Sequence, residues 1–191
     1  MPSGKFILLR AKKFRECDLI IDALSNDGEK VTLKAMNALK SKRRFAGGLL
    51  EPLNFVELHF TESKVGNLIV QEGKVLYGFP RLREDYNKLE VAFRIIKMIQ
   101  KGSQEGFDQQ ELFDLLGNTL KQLEITESPQ LLRLQFELKY LFYLGFLAPN
   151  GDTSEFVSKK VSEHQSIKLT DDEFQYLSKI SAQHLKQIEL I

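Results

Sequence analysis

Apolar and polar residues alternate along the first 75 or so positions of the chain, which is the pattern of β-strands with one buried face. Five short segments show this alternation or are apolar runs bounded by turn residues: 5–11, 18–25, 31–35, 56–60 and 66–73. Asp27-Gly28, between the second and third segments, is a strong hairpin signal because glycine tolerates a positive φ. Five short strands in about 70 residues predict a small closed or nearly closed β-barrel.

From about residue 81 the apolar residues recur at helical spacing. An amphipathic helix is predicted over 88–102, where a glycine ends it. A second helix follows a capping box that begins at Asp108. A third begins at Ser128-Pro129, where serine is expected to cap the helix and proline suits its first turn.

The third helix, 130–147, is apolar nearly all round, which predicts the central helix of a bundle. Gly145 is expected to end it or to allow a close contact. Residues 148–154 are predicted to form a loop. The polar segment 155–168 is predicted to be a loop or an ill-ordered arm. A capping box at 170–173 starts a last amphipathic helix.

These elements predict an α+β protein with two domains. Residues 1–80 are expected to form an N-terminal five-stranded β-barrel of the OB-fold type, and residues 81–191 an all-helical domain. The OB type matters because such a barrel presents a groove in which lysine and arginine follow phosphates and aromatic rings stack on bases.

Charge is distributed unevenly, although the formal net charge of the whole chain is only +1. Residues 1–80 hold 13 lysines and arginines against 9 acidic residues, and the remaining residues hold 14 against 17. The net charge is therefore +4 in the first part and −3 in the second. A localised positive field is typical of a site for a polyanion, although a solvated basic face gives the same pattern.

The residues offer little chemistry for an enzyme or a metal site. His59 lies at a polar position of a strand, and His164 and His184 lie on polar, surface-like segments far apart in the chain. No two histidines have a metal-ligand spacing, and no phosphate-binding loop or nucleophile motif is present. The sequence therefore predicts neither catalytic residues nor a cofactor nor a metal ion.

The single cysteine, Cys17, excludes an intrachain disulfide and fits a reducing compartment. The N-terminal apolar run is too short for a signal peptide, and the most apolar later segment carries charges that a membrane span would not tolerate. We therefore expect a cytoplasmic protein that does not bind membranes.

Basic residues gather at two places in the predicted barrel. The segment LKSKRRFAGGLLEP, residues 39–52, combines a cationic cluster with an apolar, glycine-containing continuation. The candidate nucleic-acid-binding residues are Lys12, Lys13, Arg15, Lys40, Lys42, Arg43 and Arg44. Phe14 and Phe45 lie next to them, and each could stack on a base or pack in the protein. Gly47 and Gly48 are expected to permit a positive φ or close packing where the chain returns to the barrel.

Several motifs resemble the bacterial recombination mediator family RecO. Glu16, Asp18, Leu19 and Ile20 match a Glu-Ser-Asp-Leu-Ile type motif, with Cys17 in place of serine. The segment 46–52 is similar to an Ala-Gly-x-Leu-Gln-Pro motif, with glutamate in place of glutamine. Residues 131–146 are similar to the helical motif that ends in Leu-Gly-Tyr. Together the motifs cover most of residues 5–147.

This resemblance implies an OB-fold domain followed by a helical domain. It implies a nucleoid-associated protein that binds single- and double-stranded DNA, anneals complementary strands and helps to load RecA onto strands covered by single-strand binding protein. The implied partners are RecR and the acidic C-terminal tail of single-strand binding protein.

The chain departs from the family pattern in other places as well. Asn37 replaces a glycine that often follows the third strand, and residues 148–156 stand where many members carry a four-cysteine zinc module. Zinc is therefore not carried over from the family.

Two other functions fit the same residues. A protein–protein adaptor would use the basic segment to receive acidic peptide tails, and an RNA-binding OB-fold protein would use it to contact RNA phosphates.

Overall fold

The computed structural model describes residues 1–41, 43–102 and 110–189. These residues form two compact units. The first comprises Met1–Phe79 and a short segment that ends at Phe113. The second comprises Pro80–Gly102 and the chain from Asp114 onward. Within the described ranges, no helix combines the length and the apolar character needed to cross a membrane.

Five strands of the described residues close into a barrel, as the sequence predicted for an OB-fold. The strands are β1 (Ser3–Phe14), β2 (Asp18–Ser25), β3 (Lys30–Ala35), β4 (Phe55–Glu62) and β5 (Leu68–Tyr77). Their order around the barrel is β1-β2-β3-β5-β4. The β3–β5 pair is parallel and closes the barrel, whereas the other pairs are antiparallel. An α+β fold with an N-terminal OB-type barrel is therefore confirmed.

Side-chain alternation explains the barrel interior. Successive strand residues point to opposite faces, so every second side chain enters the barrel. The fully buried side chains inside it include Leu8, Ile21, Leu33, Val56 and Leu58. The predicted hairpin at Asp27-Gly28 joins β2 to β3, and Gly28 has a φ of 86°.

The connection between β3 and β4 covers the barrel core. Phe45, Leu49 and Leu50 belong to the buried cluster inside the barrel. Gly47 and Gly48 have φ values of 65° and 72°, as their expected role in the return of the chain requires. Phe45 is thus a core residue rather than a platform for a base.

The helices are α1 (Pro80–Glu84), α2 (Tyr86–Gly102), α3 (Gln110–Ile125), α4 (Pro129–Tyr143), α5 (Ser154–Ser158) and α6 (Asp171–Gln187), with a 3₁₀ helix at Val161–Ser166. The capping box expected at 170–173 forms, since Thr170 and Glu173 bond each other's backbone N–H. The capping box expected at Asp108 lies partly outside the described residues.

Helix α4 is buried along most of its length, as expected for a central helix. It ends in a Schellman motif in which the N–H of Phe146 donates to the Leu141 carbonyl and the N–H of Gly145 donates to the Phe142 carbonyl. Gly145 has a φ of 77°, so glycine suits the position where the helix stops. Ser128 precedes the helix but makes no side-chain capping bond, which corrects the predicted cap.

The prediction for 155–168 was wrong, because α5 and the 3₁₀ helix occupy most of it. Phe156, Val161, His164 and Ile167 are buried there. Gln135 of α4 donates from Nε2 to the carbonyls of this segment, with 3.1 Å to that of Lys159. Packing against α4 therefore orders a segment whose polar composition indicated a loop.

His164 is only 2% exposed, which corrects its predicted surface position. Its Nδ1 lies 2.8 Å from the Val161 carbonyl, which can only accept, so Nδ1 carries the proton. Nε2 then accepts a hydrogen bond from the Thr126 hydroxyl at 2.6 Å. The histidine joins the segment before α4 to the 3₁₀ helix.

Residues 148–153, in the place where the resemblance implies a zinc module, form a hydrogen-bonded turn that leads into α5. The N–H of Thr153 and its hydroxyl both donate to Oδ1 of Asn150, at 3.1 and 3.0 Å. Thr153 is 1% exposed, so these bonds satisfy a buried hydroxyl.

Candidate nucleic-acid interface

Two turns meet at one end of the barrel. The first joins β1 to β2 and the second follows β3. The N–H of Asn37 in the second turn donates to Oδ1 of Asp18, at 2.8 Å. The N–H of Leu39 donates to the Cys17 carbonyl, at 3.0 Å. These bonds hold together two segments that are about twenty residues apart in the chain and that both carry candidate cations.

Asn37 has a φ of 56°, in the left-handed region. Asparagine visits this region more readily than most residues that carry a side chain, and glycine visits it at no steric cost. Asparagine can therefore hold the backbone conformation that brings the Asn37 N–H to Asp18, at a position where the resemblance implies glycine.

The candidate cations on the β1 side are exposed. Lys12 pairs with Ile20 and Lys13 with Leu19 near the end of the β1–β2 ladder. Arg15 follows at a φ of 56°, and its guanidinium carbon lies 5.3 Å from the centroid of the Phe14 ring. Phe14 is 40% exposed, so its ring remains accessible beside the guanidinium. This pair matches the arrangement that stacks a base beside a phosphate contact.

Of the candidates on the second turn, Lys40, Arg43 and Arg44 are exposed. The Arg44 guanidinium donates to the Met36 carbonyl at 2.9 Å and lies 5.1 Å from the centroid of the Phe45 ring. Arg44 therefore helps to hold the turn in place as well as carrying charge. Lys42 lies outside the described residues.

Arg43 and Arg44 also reach residues that the sequence did not single out for binding. They line a shallow groove of about 500 Å³ together with His59 of β4 and with Glu72, Gly73 and Lys74 of β5. The β3–β4 connection brings the arginines beside β5 only after the barrel has closed. No local signal in the sequence could have found this relationship.

Lys74 is paired within this groove region. Its Nζ lies 2.7 Å from Oε2 of Glu57 on the neighbouring strand. The hydrogen bond from Lys74 and its positive charge lower the pKa of the Glu57 carboxyl. Lys74 thus contributes less free charge to the groove than Arg43 does.

A further lysine joins the predicted set on the outer face of the barrel. Lys34 pairs with Ile20, which pairs in turn with Lys12, so these three residues form one row across β1, β2 and β3. Directly paired residues point to the same face of a sheet. The sequence alternation in β3 already indicates that Lys34 faces outward. That Lys34 shares a row with Lys12 is visible only from the strand pairing in the structure.

The described part of the chain contains no group of three or more histidine, cysteine, aspartate or glutamate side chains placed to hold a metal ion.

Comparison with known proteins places both parts of the chain in one family. A family model described as Recombination protein O N terminal matches residues 1–79, and a model described as Recombination protein O C terminal matches residues 83–151. The two matches follow one another along the chain, the first over the barrel and the second over helices.

Individual relatives agree with these models. The DNA repair protein RecO of Maridesulfovibrio salexigens is 32% identical over 143 residues, which are 74% of this chain and 58% of that protein. The protein of the same name from Myxococcus xanthus is 31% identical over 77% of this chain and 59% of its own length. That of Listeria monocytogenes is 27% identical over 80% of this chain and 58% of its own length. The match spans less than two thirds of the length of each of these relatives. The two family models and the identities to these relatives show that the chain belongs to the RecO family.

Proposed function

We propose that this chain is a non-catalytic recombination mediator in DNA repair that binds single- and double-stranded DNA through one end of its barrel. Residues 1–80 serve as the nucleic-acid-binding domain and residues 81–191 as a helical domain. Membership of a family whose relatives are named DNA repair proteins supports this function.

The observation that carries the proposal is the pair of joined turns at the end of the barrel. Arg15 on one turn and Lys40 and Arg43 on the other are exposed and lie in segments held together by the Asp18–Asn37 hydrogen bond. Lysine and arginine contacts to phosphates carry no sequence information, which suits a protein that must act on any strand.

Strand annealing follows from the ability of the exposed lysine and arginine side chains to neutralise phosphates. Two complementary strands repel each other through their phosphates, and a surface that neutralises phosphates lowers this repulsion. In the proposed mediator role, the chain also assists RecA loading on strands covered by single-strand binding protein. RecR and the acidic C-terminal tail of single-strand binding protein are the proposed protein partners, and the nucleoid is the proposed location.

The salt dependence of binding tests the location of the site. Each phosphate contact with a single strand contributes roughly 0.7 to the slope of log K against log salt concentration. The double variant Lys40→Ala, Arg43→Ala is therefore expected to reduce the slope by about 1.4. The measurement is fluorescence anisotropy of a labelled single-stranded DNA at several salt concentrations.

A matched control removes two exposed lysines from α6, with Lys179→Ala and Lys186→Ala, and is expected to leave the slope unchanged. Equal slopes for the wild type and the Lys40, Arg43 variant would contradict the proposed site. Failure of the wild-type protein to bind DNA would contradict the DNA function and favour a docking adaptor. Tighter binding of an RNA strand of the same base sequence would favour the RNA-binding alternative.

A further inference from the structure

Strand β5 has a ladder partner along only one of its two edges for much of its length. Strand β4 pairs with it from Leu68 to Tyr77, whereas β3 pairs with it only at Leu68 and Ile69. Within the described residues, no strand pairs with Glu72–Val75 on the side that faces away from β4. The barrel therefore closes at one end of β5 and leaves an open strand edge toward the other.

The open edge has regular strand geometry over four residues. The β4–β5 register shifts at two points, and the extra residues on β5 are Gln71 and Leu76. Between these bulges, each residue of Glu72–Val75 pairs directly with one of Val56–His59. Strands of three or more residues are common in proteins, so this edge can accept a short partner strand.

A groove runs beside this edge. It holds about 500 Å³ and is lined by Arg43, Arg44, His59, Glu72, Gly73 and Lys74. A Cβ on Gly73 would meet the Glu57 carbonyl oxygen and the Leu58 side chain, both at 2.6 Å, so glycine here lets β4 pack closely against β5. Glu72, Lys74 and Val75 are exposed, and Gly73 between them is half-buried.

The charge of the groove favours an acidic occupant. Lys74 is already paired with Glu57, and Glu72 offsets one of the remaining positive charges. Arg43 and Arg44 then leave the groove with one excess positive charge. Because Arg44 is held by the Met36 carbonyl and the Phe45 ring, its guanidinium is oriented before any ligand arrives.

The edge continues into exposed apolar residues. Val75 is 40% exposed and Leu76 is 36% exposed. A partner strand that presents carboxylates near Arg43 and Arg44 can place apolar side chains beside Val75 and Leu76.

We propose that the open edge of β5 at Glu72–Val75 accepts an extended, acidic and partly apolar segment of a partner protein by β-strand addition. A strand edge offers both N–H and C=O groups, and another peptide backbone satisfies both. A nucleic-acid phosphate only accepts hydrogen bonds, so it would leave the carbonyls of the edge unsatisfied. The backbone chemistry therefore favours a peptide backbone over a phosphate backbone at this edge.

The proposal is tested with an eight-residue peptide of alternating valine and aspartate, capped at both ends and labelled with a fluorophore. Capping removes the terminal carboxylate as a recognition element. The control peptide has the same sequence with N-methyl groups on alternate amides, which keeps the charge and blocks strand pairing. We expect the full-length chain to bind the control at least ten-fold more weakly, as measured by fluorescence anisotropy.

Hydrogen exchange followed by NMR locates the peptide. The proposal predicts slower exchange of amides within Glu72–Val75 when the peptide binds, and at least three-fold weaker binding by the Arg43→Ala variant. Equal binding of the N-methylated peptide would show a site that recognises charge alone and would overturn the proposal. No peptide binding, protection that appears only with single-stranded DNA, or protection that grows with protein concentration alone would also overturn it.

This inference shares Arg43 with the proposed DNA site, but the open edge of β5 on which it rests does not depend on the DNA function. The Lys12→Ala variant changes a candidate DNA contact on β1 that does not line the groove, and it is expected to leave peptide binding unchanged. Loss of DNA binding with intact peptide binding would contradict the DNA proposal alone. The reverse result would contradict strand addition alone.

Discussion

The backbone N–H of Asn37 donates a hydrogen bond to Oδ1 of Asp18, at 2.8 Å, and this bond joins the turn after β3 to the start of β2. Asp18 is only 7% exposed, so solvent cannot readily replace the bond. The proposed DNA-binding residues on the two turns depend on this connection for their relative positions.

Removal of the Asp18 carboxylate should therefore destabilise the protein. The Asp18→Ala variant leaves the Asn37 N–H without its acceptor, and we expect a loss of about 1–3 kcal/mol in the free energy of unfolding. The Asp18→Asn variant keeps an oxygen that can accept, so its loss should be smaller. Urea unfolding measures both variants, and equal losses would show that the hydrogen bond is not what makes Asp18 important.

The Schellman motif at the end of α4 gives a second prediction. Gly145 has a φ of 77°, and a Cβ built on it meets no atom within 4 Å. The Gly145→Ala variant is therefore strained by its backbone conformation alone, and we expect it to lose about 1–2 kcal/mol of stability.

Gly151 provides the matched control, because a Cβ there also meets no atom within 4 Å and its φ is outside the left-handed region. The Gly151→Ala variant should be neutral or more stable, since alanine restricts the unfolded chain. Thermal unfolding separates the two variants. Similar melting temperatures would contradict a conformational role for Gly145.

The buried histidine predicts a pH dependence of stability. Burial lowers the pKa of His164 from its ordinary value of 6.5, and the hydrogen bond to the Val161 carbonyl opposes this effect only in part. Because the pKa is lower in the folded state, the unfolded state binds more protons as the pH falls. The stabilising contribution of neutral His164 is thus complete above about pH 6.5 and decreases below it.

The His164→Gln variant has no titratable side chain at this position. We expect the free energy of unfolding to decrease less for this variant than for the wild type between pH 7 and pH 5. Urea unfolding at several pH values provides the comparison. Parallel pH profiles for the two proteins would exclude His164 as the source of the dependence.

The row formed by Lys12, Ile20 and Lys34 predicts how far the DNA site extends over the barrel. If a single strand crosses the outer face of β1, β2 and β3, the double variant Lys12→Ala, Lys34→Ala should lower the salt slope by about 1.4, at roughly 0.7 per phosphate. The same anisotropy titration tests this variant. If this double variant keeps the wild-type salt slope, the DNA site does not extend over the outer face and is confined to the two joined turns.

Hydrophobic periodicity determined much of the fold from the sequence alone. The period of two in β3 and β4 and the helical period of α2 and α6 reflect local geometry, so both were visible without a structure. Gly28, Gly145 and the Thr170–Glu173 capping box mark turns and helix ends for equally local reasons. Other local motifs, within 16–20, 46–52 and 131–146, carried the family resemblance, and the family models confirmed it.

Tertiary packing decided the remaining features. Residues 155–168 lack a regular apolar period, and only contact with α4 explains why Phe156 and His164 are buried there. Barrel closure, rather than the local sequence, places Arg43 beside Gly73 and Lys34 in the same row as Lys12. The physical reason is that periodicity records which side of an element is buried, whereas the neighbours of its exposed side depend on strand register and chain closure.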